Sequence, residues 1–266
     1  MVRAIYSRVA SFFVSFPVQS RMSCRMTSPQ DELSVNAHDT DMNGIVSLTG
    51  ILRYMQDSAN CQMEDDGLSY DSLFSRGLAF VLSRLKLSVY HPIYSHDVIE
   101  VETWACESQG VSFNRCYTIK KNGEIMAEAY SVWALLDTNS HRLVRVSDFE
   151  GHYGEDSPVE LDMAKRFRLP SAINLALVGE RTVEYQDVDM NRHMNNTRYG
   201  DILCGYLPRI EGHRVIQFEI NYVSEAPLGE GIKVYMAHGE DSTYYFRTVR
   251  DGGKTNIEAE IMTEAM

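Results

Sequence analysis

The chain has 266 residues, enough for one large or two small domains, and its 44% hydrophobic content can build a packed core. A formal charge of −12 argues against nucleic acid as a partner, and no uninterrupted apolar run reaches the roughly 20 residues that span a bilayer. The five cysteines are scattered with no C-x-x-C pair, so neither a zinc site nor a disulfide scaffold is indicated and a reducing compartment is expected.

Residues 1–30 stand apart. They carry no acidic residue, include Arg3, Arg8, Arg21 and Arg25, and are rich in serine. This composition fits a transit peptide, which would imply a plastid, or an over-extended start with Met26 as the initiator, which leaves the protein cytoplasmic. Either reading excludes the segment from the fold.

Next comes "HDTDMNG", His38 to Gly44, followed by Leu48, Ile51, Leu52, Met55 and Ala59 at helical spacing. "VLSRLKLSVY" then alternates, with Val81, Ser83, Leu85, Leu87 and Val89 expected on one face of a half-buried strand. Strands follow at "DVIEVETWA", "SFNRCYTIKK" and "GEIMAEAYSVWALLD", with a tight primed turn at Asn122-Gly123. A polar, proline-containing linker is read at 151–172.

The second half repeats this order. "YQDVDMNRHMNN" (Tyr185 to Asn196) renews the D-x-D-M-N motif ahead of a helical stripe of Tyr199, Ile202, Leu203, Tyr206 and Leu207, which Asn195 or Asn196 can cap and Pro208 can end. Strands follow at "VIQFEINYVS", "GIKVYMAHG" and a hairpin around Asp251-Gly252-Gly253. One helix followed by long antiparallel strands, written twice, describes an α+β chain of two tandem hotdog domains. Each is expected to be a long central helix wrapped by an antiparallel sheet, over residues 31–150 and 173–266.

D-x-D-M-N opens like a calcium loop, but position 12, which should be a bidentate glutamate, is Gly50 in one copy and Arg198 in the other. No G-x-S-x-G elbow, H-E-x-x-H pair or glycine-rich phosphate loop occurs, so no metal or other cofactor is expected. In the second copy, Asp189, Asn191 and His193 alternate and would project to one side of an extended segment. They precede a helix N-terminus, whose dipole would favour the oxyanion of an acyl transfer. The alternative is that Asp189 and Asn191 only make turn and cap hydrogen bonds.

From about Leu33 onward the sequence resembles the acyl-ACP thioesterases, double-hotdog hydrolases of plants and bacteria. The resemblance is carried by "DVDMNRHMNNTRY" (Asp187 to Tyr199), "FVLSRLKL" (Phe80 to Leu87), "DVIEVETW" (Asp97 to Trp104) and "SVWALLD" (Ser131 to Asp137). It implies hydrolysis of a fatty acyl thioester on acyl carrier protein, with Asp189, Asn191, His193 and Glu225 as the catalytic network. Glu225 or His193 would activate a water, Asn191 would hold the water or the carbonyl, and Asp189 would orient Asn191 or the backbone. Direct attack by a carboxylate is the other route. Plant members carry a cysteine after that glutamate where this chain has Ala226, which removes a thiol nucleophile, and Cys204 reads as core.

The first copy has Ile45 in place of His193, and the resemblance implies that its half binds the acyl chain, with Leu52, Met55, Val81 and Leu85 lining the pocket. Docking of an acidic carrier and its acyl-phosphopantetheine calls for local cations, which "AKRFRLP" (Ala164 to Pro170), Arg192, Arg198, Arg209 and Arg214 offer. No nucleic acid or membrane partner is expected, and the chain is read as a monomer or homodimer. The rival readings are an acyl-CoA thioesterase of the same fold and a non-catalytic acyl-binding protein.

Overall fold

The computed structural model describes residues 32–149, 156–161, 163–164, 166–208 and 210–266. The N-terminal extension, part of the linker, Lys165 and Arg209 lie outside the described residues.

The first half runs β1 (Glu32–Ser34), α1 (Leu48–Asp65), α2 (Tyr70–Ser75), β2 (Leu78–Val89), β3 (Val98–Gln109), β4 (Ser112–Lys121), β5 (Glu124–Asp137) and β6 (Arg142–Val144). The second runs β7 (Ala176–Thr182), α3 (Tyr199–Cys204), β8 (His213–Tyr222), β9 (Gly231–His238), β10 (Thr243–Arg250) and β11 (Thr255–Ala265). The strands form one antiparallel sheet in the order β1-β3-β4-β5-β2-β8-β11-β10-β9-β7, with β6 paired to β5. Read inward from either end, the order is the same, so the repeat seen in sequence is also a repeat in topology.

The halves join where β2 pairs with β8, from Arg84 opposite Asn221 to Ser88 opposite Gln217. This pairing consumes two sheet edges that would otherwise expose unpaired backbone groups. It also aligns Leu85 and Leu87 with Ile220 and Phe218, all buried in one core that spans both halves. Neither half therefore buries its sheet alone.

Helix α1 starts at Ser47, whose hydroxyl accepts the Gly50 N–H at 3.1 Å, and its stripe of Leu48, Ile51, Leu52, Met55 and Ala59 is buried as the spacing predicts. Thr49 ties it to the second copy: its N–H donates to Asp201 Oδ1 at 3.0 Å and its hydroxyl to the Thr197 carbonyl at 2.9 Å. The helices meet so closely that a Cβ on Gly200 would stand 2.9 Å from Leu48 Cγ. At the β4–β5 turn, Asn122 and Gly123 take φ of 52° and 79°, the left-handed pair that a primed turn needs.

Two expectations change. The second helix is six residues long rather than a long central rod. A 3-10 turn at Asn196–Arg198 precedes it, Gly205 caps it, and Tyr206 and Leu207 bond back in three-residue turns before Pro208. The second change is in β2, where a bulge between Leu82 and Arg84 reverses the alternation. Val81, opposite Ala134, consequently lies on the face opposite to Leu85, Leu87 and Val89. No helix among the described residues is long and apolar enough to cross a membrane.

Candidate active site

The second D-x-D-M-N segment is a tight turn, not the extended run that alternation suggests. Asp189 Oδ1 accepts the Asn191 N–H at 2.8 Å, and the Asp189 carbonyl accepts the Arg192 N–H at 2.9 Å. Arg192 sits at φ 61°, where the first copy has Gly44 at φ 76°. One oxygen of the Asp189 carboxylate thus shapes the turn, and the side chains of Asn191 and His193 make no bond within it.

The turn pairs with the loop after β8. Met194 N–H donates to the Ala226 carbonyl at 2.8 Å, and Leu228 N–H to the Arg192 carbonyl at 3.0 Å. This pairing carries Glu225 to His193, with Oε2 3.5 Å from Nδ1. On the other side of the turn, Tyr70 at the start of α2 donates its phenol to Asn191 Oδ1 at 2.9 Å. A residue of the first half therefore reaches the turn of the second.

The site is open. Asn191 and Glu225 are exposed and His193 is half-buried. The expected help from a helix dipole falls away, because α3 is short and its first turn is a 3-10 turn capped by Asn195. Apolar side chains surround the turn instead: Met190 within it, Leu228 bonded to it, and Tyr70 stacked on Phe74 with ring centroids 5.9 Å apart are all exposed.

Two buried polar residues hold this geometry. The Asp187 carboxylate takes the Arg181 guanidinium at 2.5 Å and the Glu184 N–H at 2.9 Å, and its carbonyl accepts the Asn195 N–H at 2.8 Å. Asn256, fully buried, anchors the Glu225 loop. Its carbonyl accepts the N–H groups of Val223 and Ser224, its amide donates to the Ser224 carbonyl, and its Oδ1 accepts from Tyr199 and Thr248. Sequence reasoning missed Asn256, although a polar residue ahead of the apolar stripe of β11 was a usable signal. It also missed Tyr70, which no local pattern marks.

The first copy repeats the backbone without these side chains. Val46 N–H donates to the Ile93 carbonyl at 2.8 Å, as Met194 does to Ala226, so Pro92 stands where Glu225 does and Ile45 where His193 does. Its asparagine is consumed: Asn43 Nδ2 donates to the carbonyls of Ile210 and His213, and Oδ1 accepts the Gly212 N–H. The clefts between the halves differ to match. Beside the first copy, a cavity of about 300 Å3 is lined by Ile45, Ile51, Ile93 and Val215, with Asp41, Asp201 and Arg214 also on its wall. At the corresponding place beside the second, Arg53, Gln56, Asp57, Gln186 and Arg198 line a polar cavity of about 300 Å3. Burial pushes the Cys204 thiol up, so it stays protonated, on the side away from His193.

Leu52, Met55 and Leu85 are buried in the shared core, while Val81 is half-buried on the opposite face of β2. Two of the cations read as a docking surface are engaged inside the fold. Arg214 bonds the Val89 and Tyr90 carbonyls and Glu264, and Arg198 lies 3.7 Å from Asp187. Arg166, Arg168 and Arg192 are exposed, and Lys165 and Arg209 lie outside the described residues.

Comparison with known proteins bears on the fold and the family. The acyl-ACP thioesterase N-terminal domain matches residues 26–150, and the acyl-ACP thioesterase C-terminal domain matches residues 172–264. A chloroplastic acyl-[acyl-carrier-protein] hydrolase of Cuphea viscosissima is 24% identical over 254 residues, covering 85% of this chain and 60% of that protein. The chloroplastic oleoyl-acyl carrier protein thioesterase 2 of Arabidopsis thaliana is 26% identical over 220 residues, covering 74% and 59%. The chain thus spans about three fifths of the length of these two relatives. Among solved structures, an acyl-ACP thioesterase from Bacteroides thetaiotaomicron superposes with a TM-score of 0.80 at 20% identity, covering 88% of this chain and 97% of that one. The 12:0-ACP thioesterase from Umbellularia californica superposes with a TM-score of 0.73 at 18% identity, covering 89% and 97%. These two likenesses establish the double-hotdog fold, and the two family matches establish that the chain belongs to the acyl-ACP thioesterase family.

Proposed function

We propose that the protein hydrolyses the thioester of a fatty acyl group carried on acyl carrier protein, releasing free fatty acid and the carrier thiol in fatty acid biosynthesis. The observation that carries this reading is the His193–Glu225 pair at 3.5 Å beside Asn191, present in one copy of the repeat and replaced by Ile45 and Pro92 in the other. His193 and Glu225 act as the base that takes a proton from water as its oxygen attacks the thioester carbonyl carbon. The tetrahedral intermediate collapses by breaking the C–S bond, and the proton returns to the departing thiolate. Asp189 acts through the turn it closes rather than on the substrate.

The acyl chain is assigned to the first half, with Leu52, Met55 and Leu85 as its apolar contacts; Val81, on the other face of β2, is left out. The exposed apolar side chains of Met190, Tyr70 and Leu228 around the turn support an acyl substrate. For the acidic carrier, Arg166, Arg168 and Arg192 are the exposed cations that fit.

The test is hydrolysis of matched acyl-carrier and acyl-CoA thioesters by the wild type and by His193→Ala. Faster turnover of the carrier substrate, lost in the variant, is expected. Preference for acyl-CoA would replace the proposed substrate, and turnover of neither would leave an acyl-binding protein.

A further inference from the structure

A side-chain amide has two chemically different ends, and the end that faces a reacting carbonyl decides what it can do. An N–H stabilises the developing oxyanion, whereas a carbonyl oxygen repels it and at best orients a water. Asn191 Oδ1 is occupied by the Tyr70 phenol at 2.9 Å, and Nδ2 has no partner among the described residues. The contrast with Asn43, whose amide is used at both ends inside the fold, shows that this free end is not a general property of the motif.

Tyr70 is well placed to fix the amide. It is the first residue of α2, which Ser69 caps and which Leu73 anchors in a buried cluster with Phe113, Leu135 and Phe149. Its ring stacks on Phe74. Partial desolvation, with the carboxylates of Asp189 and Asp71 close by, holds the phenol above its usual pKa, so it remains a donor throughout the neutral range.

We infer that Tyr70, contributed by the half that lacks the His193–Glu225 pair, is a positioning residue that turns the NH2 end of Asn191 toward the thioester carbonyl. Asn191 then acts as an oxyanion donor, and the site is complete only when both halves contribute. This inference rests on the thioester-hydrolase reading given above.

The experiment is a double-mutant cycle on acyl-carrier substrate, with melting temperatures recorded for every variant. Tyr70→Phe removes one half-exposed hydroxyl. It should lower kcat about tenfold and leave KM within about twofold, because the lost contact acts in the transition state. In an Asn191→Ala background the same change should cost less than about twofold, since no amide remains to position. Asn191→Asp keeps an oxygen for Tyr70 but removes the donor, and should be as impaired as Asn191→Ala. Equal losses from Tyr70→Phe in both backgrounds would reduce Tyr70 to a structural role, and an active Asn191→Asp would make residue 191 an acceptor; either result overturns the inference while the hydrolase reading stands. A wild type without hydrolysis removes both.

Discussion

His193 Nδ1 stands 3.5 Å from Glu225 Oε2, and the same two backbone positions in the first copy hold Ile45 and Pro92. The repeated frame thus has the same backbone hydrogen bonding in both copies and the two titratable groups in only one of them. If the pair works as one proton-transferring unit, its members are not independent. His193→Ala and Glu225→Gln should each lower kcat by about 10²- to 10⁴-fold, and the double variant should be little worse than the more impaired single one. Steady-state kinetics of the three variants decide; losses that multiply would separate the two roles.

The two motif asparagines make opposite demands. Asn43 holds residues 210–213 through three hydrogen bonds, whereas among the described residues the Asn191 side chain holds only the Tyr70 hydroxyl. Asn43→Ala should cost about 1–3 kcal/mol of stability, because partly buried backbone groups are left unpaired, and leave turnover by the folded fraction nearly unchanged. Asn191→Ala should do the reverse. Urea denaturation read alongside kcat for both variants tests this, and a large stability loss at Asn191 with no kinetic effect would contradict it.

These residues also show how far the sequence could be read. The α1 stripe and the Asn122-Gly123 turn were legible because helix period and turn chemistry are local. The bulge that moves Val81 to the other face is a single-residue slip with no compositional mark. The short α3 follows from Gly205 and Pro208, but the apolar spacing of Tyr199 to Leu207 hid it. Arg198 and Arg214 read as free cations because Asp187 and Glu264 reach them only through the fold. Among the site residues, D-x-D-M-N was visible as a repeat and Glu225 came through the family resemblance. Tyr70, 121 residues from Asn191, had no signal in either.

Asn256 tests whether the Glu225 loop must be rigid. It is fully buried and serves Ser224, Val223, Tyr199 and Thr248. Asn256→Leu fills a similar volume but strands two hydroxyls and a carbonyl, so a loss of about 3–5 kcal/mol is expected, with a further fall in kcat at temperatures where the variant is folded. Chemical denaturation and single-turnover rates measure the two effects. A stable variant with normal kcat would show that Glu225 does not depend on this anchor.

Asp41 is the counterpart of Asp189 and offers a pH test of the first copy. Burial raises its pKa above 3.8 despite hydrogen bonds from the Asn43 and Ile45 N–H groups, and the Asp201 carboxylate adds to the rise. A carboxyl whose folded pKa lies above its unfolded value binds its proton more tightly when folded. Its ionised form therefore subtracts from stability at neutral pH, and this penalty fades as pH falls through the raised pKa toward 3.8. Asp41→Asn keeps an oxygen for both N–H groups without the charge. The variant should be more stable than the wild type at pH 7, with the gap closing as the wild-type carboxyl protonates. Denaturation curves at pH 7 and near pH 4 report the sign directly. A variant that is less stable at pH 7 would mean that the charge strengthens the turn's hydrogen bonds by more than its burial costs, and that the turn still needs its carboxylate.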